Sequence, residues 1–268
     1  MFYPLKDNRA NSDNGGQLAL QASILGALAT SFKVRVPPKL RSLSLHNLRT
    51  SDLPVFESPP FQNFLTNLRR LQLSVLFDFE PDDRTFTSRC YHFWGTLLPR
   101  MIFAPAQHAV TDLTLHSDVS FGRSSGLSLN GLHFPHMYAL SLRNLVMETS
   151  VGIEPFILRH AASLTRLELV ACMLPTYPNP LPIPWALPFP PPSSARCWDS
   201  IWDHFAVELT SLVALHVHDP ECSYVFAWFG LSFFRDSARE SREATDVAAL
   251  QRFRAVVATR SEEMRVES

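Results

Sequence analysis

The 268-residue chain carries 24 Lys and Arg against 25 Asp and Glu, a net charge of −1, so no positive field argues for nucleic acid or an anionic membrane as partner. Hydrophobic residues make up 46%, too many for a chain disordered throughout, and the length allows one or two domains with a sizeable core. Charged residues reach only 18%, while 37 Leu and 21 Pro against 9 Gly describe a Leu-rich fold punctuated by proline.

In chain order, the N-terminus lacks a basic segment followed by an apolar one, so no secretory signal is read there. A helix is predicted from about Gln17 to Phe32, with Asn14-x-x-Gln17 resembling a capping box. The first of six similar strand motifs then follows, Leu40-x-x-Leu43-x-Leu45. Phe61, Phe64, Leu65 and Leu68 form a short helical stripe that leads into the second motif, Leu68-x-x-Leu71-x-Leu73. Phe86, Cys90, Phe93, Trp94, Leu97 and Leu98 form a longer one, expected to close at Pro99; the acidic pair Asp82-Asp83 before it is read as a helix cap. The third and fourth motifs are Val110-x-x-Leu113-x-Leu115 and Met137-x-x-Leu140-x-Leu142, and the stretch between them is expected to be irregular. Ile153, Phe156, Ile157 and Leu164 mark a helix opening with Glu154-Pro155, ahead of the fifth motif, Leu164-x-x-Leu167-x-Leu169. Residues 174–194 hold nine prolines and are expected to be an extended loop, with polyproline II ligand for an SH3- or WW-type domain as the alternative. The stripe of Trp198, Ile201, Trp202, Phe205, Leu209 and Leu212 precedes the sixth motif, Leu212-x-x-Leu215-x-Val217. A last helix is predicted from about Asp246 to Met264, capped by Thr245 or Asp246, and no clear capping unit is read at the end of the chain.

The motifs start 28, 42, 27, 27 and 48 residues apart, so three steps share one period and two carry insertions. That period lies within the 20–29 residues of leucine-rich repeats. Alternation in a strand explains the spacing: Leu167 and Leu169 point to one face, Arg166 and Glu168 to the other. The predicted fold is therefore α/β, a leucine-rich-repeat solenoid or horseshoe. Short parallel strands line its concave face, and helices or irregular segments its convex face. Residues 1–34 would hold the convex helix of an incomplete first repeat, 35–264 about six repeats, and 265–268 a polar tail.

Outward strand positions would form the binding surface on the concave face. They are His46, Arg70, Gln72, Asp112, Thr114, His116, Ser141, Arg143, Arg166, Glu168, His216 and His218. Arg70, Arg143 and Arg166 could hold acidic groups bidentately. A merely solvated face is the alternative. His216-x-His218 places two imidazoles on one strand face, but a metal needs three or four converging ligands and spacing assures only two, so no metal or cofactor site is assigned. Nor does a catalytic pattern emerge: there is no Gly-x-Ser-x-Gly, P-loop, His-Glu-x-x-His or dinucleotide glycine motif. Cys222 near His216 and His218 is the sole hint of a nucleophile, and a chain with ten His and four Cys offers such neighbours by chance. A non-enzymatic role is expected.

Cys90, Cys172, Cys197 and Cys222 contain no Cys-x-x-Cys pair and suit a reducing compartment, cytoplasmic or nuclear. Cys172 falls at the Asn/Cys position of the repeat, which points to a buried structural role. No apolar stretch reaches the ~18 residues of a membrane span.

Three segments carry a family resemblance: Phe134 to Leu145, Phe156 to Leu169 and Cys197 to Phe205. They resemble the leucine-rich-repeat portion of fungal F-box proteins, a likeness extending over residues 35 to 264. The resemblance implies a protein–protein interaction module that holds the substrate of a ubiquitin ligase, with an F-box recruiting the Skp1–cullin complex. No Leu-Pro-x-Glu opening of an F-box precedes Leu40, so that link is expected only if an F-box lies upstream. A repeat scaffold without the ligase connection is the alternative, and an enzyme the remote one.

Overall fold

A computed structural model describes residues 14–34, 40–50, 52–76, 86–121, 126–147, 151–175, 197–218, 224–228, 232–235 and 242–267. The chain is mixed α/β. Six strands, β1 (Ser42–Arg49), β2 (Arg70–Leu76), β3 (Asp112–Phe121), β4 (Ala139–Leu145), β5 (Arg166–Val170) and β7 (Ala214–His218), form one parallel sheet in that order, not closed into a barrel. A second sheet combines β6 (Leu174–Pro175), β8 (Tyr224–Trp228) and β9 (Ser232–Arg235).

Every strand of the six-stranded sheet coincides with one motif. Leu43, Leu71, Leu113, Leu140, Leu167 and Leu215 pair in one row, and Leu73, Leu115, Leu142, Leu169 and Val217 in a second. Because strand side chains alternate, both rows share one face. Leu71, Leu113, Leu140 and Leu167 are buried, and Leu215 on the last strand is half-buried. Entry into successive strands repeats one arrangement: two consecutive N–H groups donate to one carbonyl of the strand before. Arg69 and Arg70 bond Arg41, Thr111 and Asp112 bond Arg69, and Tyr138 and Ala139 bond Thr111. Thr165 and Arg166 then bond Tyr138, and Val213 and Ala214 bond Thr165. Exit is repeated too. Asn47, Asn144 and Ala171, each two residues beyond the last apolar position of its motif, take left-handed φ values of 57°, 57° and 48°. Asn tolerates this conformation better than most residues, whereas Ala171 bears the cost of its Cβ.

Helices cover the leucine face. α1 (Asn14–Val34) and α2 (Pro59–Leu65) bury Leu25, Phe61, Phe64 and Leu65. α3 (Phe86–His92) passes into a π-helix over Phe93–Phe103 and ends as α4 (Ala104–Ala106). The helical run thus continues through Pro99 rather than closing there. Pro clashes with the carbonyl four residues back in an α-helix, and the wider π turn, in which Ala104 N–H reaches Pro99 O, relieves that clash. α5 (Ile153–Arg159) and α6 (Trp198–Glu208) follow, with Phe103, Phe134 and Phe156 joined edge to face at 6.1 and 6.0 Å and Trp198 stacked on Trp202 at 4.8 Å.

The irregular segment between β3 and β4 contains no helix among its described residues, as expected, and is pinned by His160. The Phe134 N–H donates to His160 Nε2 at 2.9 Å, while Nδ1 donates to Phe156 O at 2.7 Å. Burial pushes this imidazole down to about 4.

The last helix, α7 (Glu243–Glu267), is longer than the predicted 246–264, and Asp246 is not its cap. Asp246 is fully buried, and its Oδ1 accepts the Asp199 N–H of α6 at 2.9 Å. At the other end of α6, Arg260 donates to Leu209 O and Ala206 O, both at 2.8 Å. An acid thus meets the N-terminus of α6 and a guanidinium its C-terminus, matching the helix dipole. Phe253 packs on Trp202 and Phe205 between these points. α7 also reaches β7, where Arg254 donates to Val217 O at 3.1 Å. His218 O bonds toward β5 through Ala171, so by strand alternation Val217 O lies on the opposite edge. α7 thus packs on α6 and beside the outer edge of β7, and the signal for this lies in tertiary contacts of Asp246, Arg254 and Arg260 and not in any motif.

The proline-rich residues 176–194, Asp82-Asp83, Asp219, Glu221 and Cys222 lie outside the described residues. Among the described residues, no helix is long and apolar enough to cross a membrane.

Candidate functional site

The face of the sheet opposite the leucines is polar, and strand pairing sets its side chains in rows. One row is Ser42, Arg70, Asp112, Ala139, Arg166 and Ala214. The next is Ser44, Gln72, Thr114, Ser141, Glu168 and His216. A third is Ser74, His116, Arg143, Val170 and His218. His46 is exposed at the irregularity between Leu45 and Leu48, where β1 slips its register with β2. Eleven of the twelve expected residues thus share these rows, and His46 adjoins them.

The charges on this face are partly matched within it. Asp112 lies between two arginines, 4.0 Å from Arg70 and 3.3 Å from Arg166. Asp112 and Arg166 stand on either side of β4, about 9.6 Å apart along the sheet. Their side chains meet over Ala139, which is only 3% exposed although it occupies an outward position. A small residue there lets the ion pair cross. Arg166 also lies 6.0 Å from the ring of Tyr138, a residue the motif pattern did not single out. Exposed pairs of this kind contribute about 0–1 kcal/mol, so both arginines can be redirected to a partner at small cost. Arg143 is exposed, and its charge acts on His116.

A hydrogen-bonded chain joins the second and third rows. Ser141 Oγ donates to Glu168 Oε2 at 2.7 Å, and His116 Nε2 lies 3.2 Å from the same Oγ. Since the hydroxyl proton goes to Glu168, the imidazole must carry the proton on Nε2 and donate it. His116 is half-buried. Burial lowers its pKa, the Arg143 charge lowers it further, and Glu168 acts in the opposite direction.

α7 overhangs the β7 end of this face. Arg254, Val257, Ala258 and Ser261 form one wall of a cleft of about 690 Å³, and Asp112, Thr114, Ser141, Arg166, Glu168 and His216 lie on its floor. The four α7 residues were invisible to the motif pattern, because nothing in their local spacing places them over a strand 40 residues earlier. Cys172 stands apart from the cleft. Its Sγ lies 3.7 Å from Leu142 O and Val170 O, and burial pushes the thiol up to about 12, far from a reactive thiolate.

No protein-family model matches the chain, and no curated protein matches it.

Proposed function

We propose that the chain is a leucine-rich-repeat solenoid acting as a protein–protein interaction module, with the polar sheet face as its concave binding surface. By its resemblance to the repeat portion of fungal F-box proteins, it would hold the substrate of a Skp1–cullin ubiquitin ligase. The observation that carries the binding role is the in-register polar lattice ending in the cleft under α7. The solenoid reading draws support from six strands in sequence order, one repeated entry hydrogen-bond pattern and one left-handed exit position. Cys90, Cys172 and Cys197 as thiols accord with a cytoplasmic or nuclear site of action.

Two measurements test this reading. Co-purification with Skp1, using this chain and any longer product of its gene, tests the ligase link; failure of the longer form to capture Skp1 would leave a scaffold without it. Photocrosslinking from position 114, on the polar face, should yield partner adducts that the double substitution R143E/R166E removes. Adducts that persist unchanged in the variant would show that these arginines do not carry binding, and the absence of adducts from position 114 would place binding elsewhere.

A further inference from the structure

The polar face brings together a third metal-ligating group that sequence spacing could not assure. β5 and β7 are in register, so Glu168 pairs with His216 and Val170 with His218. His216 and His218, at i and i+2, project from the same face as Glu168. One ligand atom from each of the three residues lies within 4.8 Å of the other two. The two Nε2 atoms face each other in direct contact, with the imidazole rings perpendicular and their centroids 3.8 Å apart.

From this arrangement we propose that Glu168, His216 and His218 form a binding site for a divalent transition-metal ion of the Zn²⁺ type. Such ions take imidazole nitrogen at about 2.0–2.1 Å and carboxylate oxygen at about 2.0–2.2 Å, so ligand atoms around one ion stand about 3.3 Å apart in a tetrahedron. Both imidazoles are exposed and can rotate the small distance needed. The carboxylate is half-buried and held: Ser141 Oγ donates to its Oε2, and His116 braces that hydroxyl in turn. This is the outer support that orients metal-binding carboxylates, and it leaves Oε1 for the ion. Two nitrogens and one oxygen favour Zn²⁺, Ni²⁺ or Cu²⁺ over Mg²⁺ or Ca²⁺, which require more oxygen ligands. His216 and Glu168 also line the cleft, so the remaining coordination position opens to a donor group entering there. The ordinary alternative is a solvated histidine pair beside a structural carboxylate. It predicts no stoichiometric binding.

The test is a zinc titration of the tag-free full chain by calorimetry, with thermal melts at saturating Zn²⁺ alongside. One ion per chain should bind, and it should raise the melting temperature. H216A and H218A should each weaken binding by at least about tenfold and remove the thermal shift, E168Q should weaken it by about tenfold, and H92A, at the exposed end of α3, should leave both unchanged. Circular dichroism of the variants, all altered at solvent-facing positions, verifies their folding. Mg²⁺ in large excess should not compete. Absence of saturable binding to the wild type would overturn the assignment, as would stoichiometric binding that survives in H216A and H218A.

Discussion

Lowering the pH should destabilise this protein through one buried imidazole. His160 is 2% exposed, and its two ring nitrogens have fixed and opposite roles. The Phe134 amide donates to Nε2 and Nδ1 donates to Phe156 O, which defines the neutral ring. A proton added at Nε2 would face an N–H instead of a lone pair, losing the bond that ties the irregular segment to α5. Burial is the main cause of the depression to about 4, opposed by the Phe156 carbonyl and reinforced by His133 and Arg159. In the unfolded chain the same group titrates near 6.5. Between these values the unfolded chain takes up a proton that the folded one refuses. The stabilisation is therefore complete above pH 6.5 and is lost as pH falls through the window to 4. A depression of this size is worth at most about 3–4 kcal/mol, which solvent screening reduces to about 2 kcal/mol. The assay is urea unfolding at pH 7.5 and 4.5 for the wild type and for H160Q. The glutamine amide can accept from Phe134 and donate to Phe156 but does not titrate in this range. H160Q should be less stable at pH 7.5 by about 1 kcal/mol, yet lose about 2 kcal/mol less than the wild type on acidification. Equal losses in the two proteins would refute the reasoning.

Three further outcomes are expected. L167D, which puts a carboxylate at a fully buried position of the leucine row, should abolish cooperative unfolding at 25 °C, whereas E168A on the opposite face should shift the melting temperature little; similar melts for the two would contradict the strand register. D246A removes the acceptor that α7 lends to the N-terminus of α6 and should cost about 1–2 kcal/mol in chemical denaturation. A171G relieves a left-handed alanine and should stabilise by up to about 1 kcal/mol, a gain that a loss on substitution would disprove.

Whatever depends on short-range alternation could be read from the chain. Leu167 and Leu169 flank Glu168 in any strand, and six such triplets define both faces and the pairing of each row. The third metal-ligating residue was accessible in principle. Aligning the fifth and sixth motifs puts Glu168 opposite His216, although 48 residues separate them. Contacts made by side chains from non-consecutive elements were not accessible. Asp246 reads locally as the cap of its own helix, and the packing of α7 on α6, through Phe253 and Arg260, brings it to the start of α6. Pro99 reads as a helix terminator because the pattern of one strand or helix does not reveal a change to the wider π turn. His160 gives no signal in the periodicity at all, since its importance lies in an amide 26 residues away.

The contact of Arg254 with Val217 bears on how recognition can work. The outer edge of a sheet exposes unpaired main-chain groups, and an extended peptide can add there as a further strand. At β7 that route is obstructed: α7 lies beside the strand, and a guanidinium already occupies an outward carbonyl. On the proposed reading, a partner entering the cleft would be recognised by its side chains against the polar rows and not by strand addition at β7. Selectivity would then rest on the Asp112–Arg166 pair and on Glu168, and exchange of a few outward residues would change the partner without disturbing the leucine rows beneath.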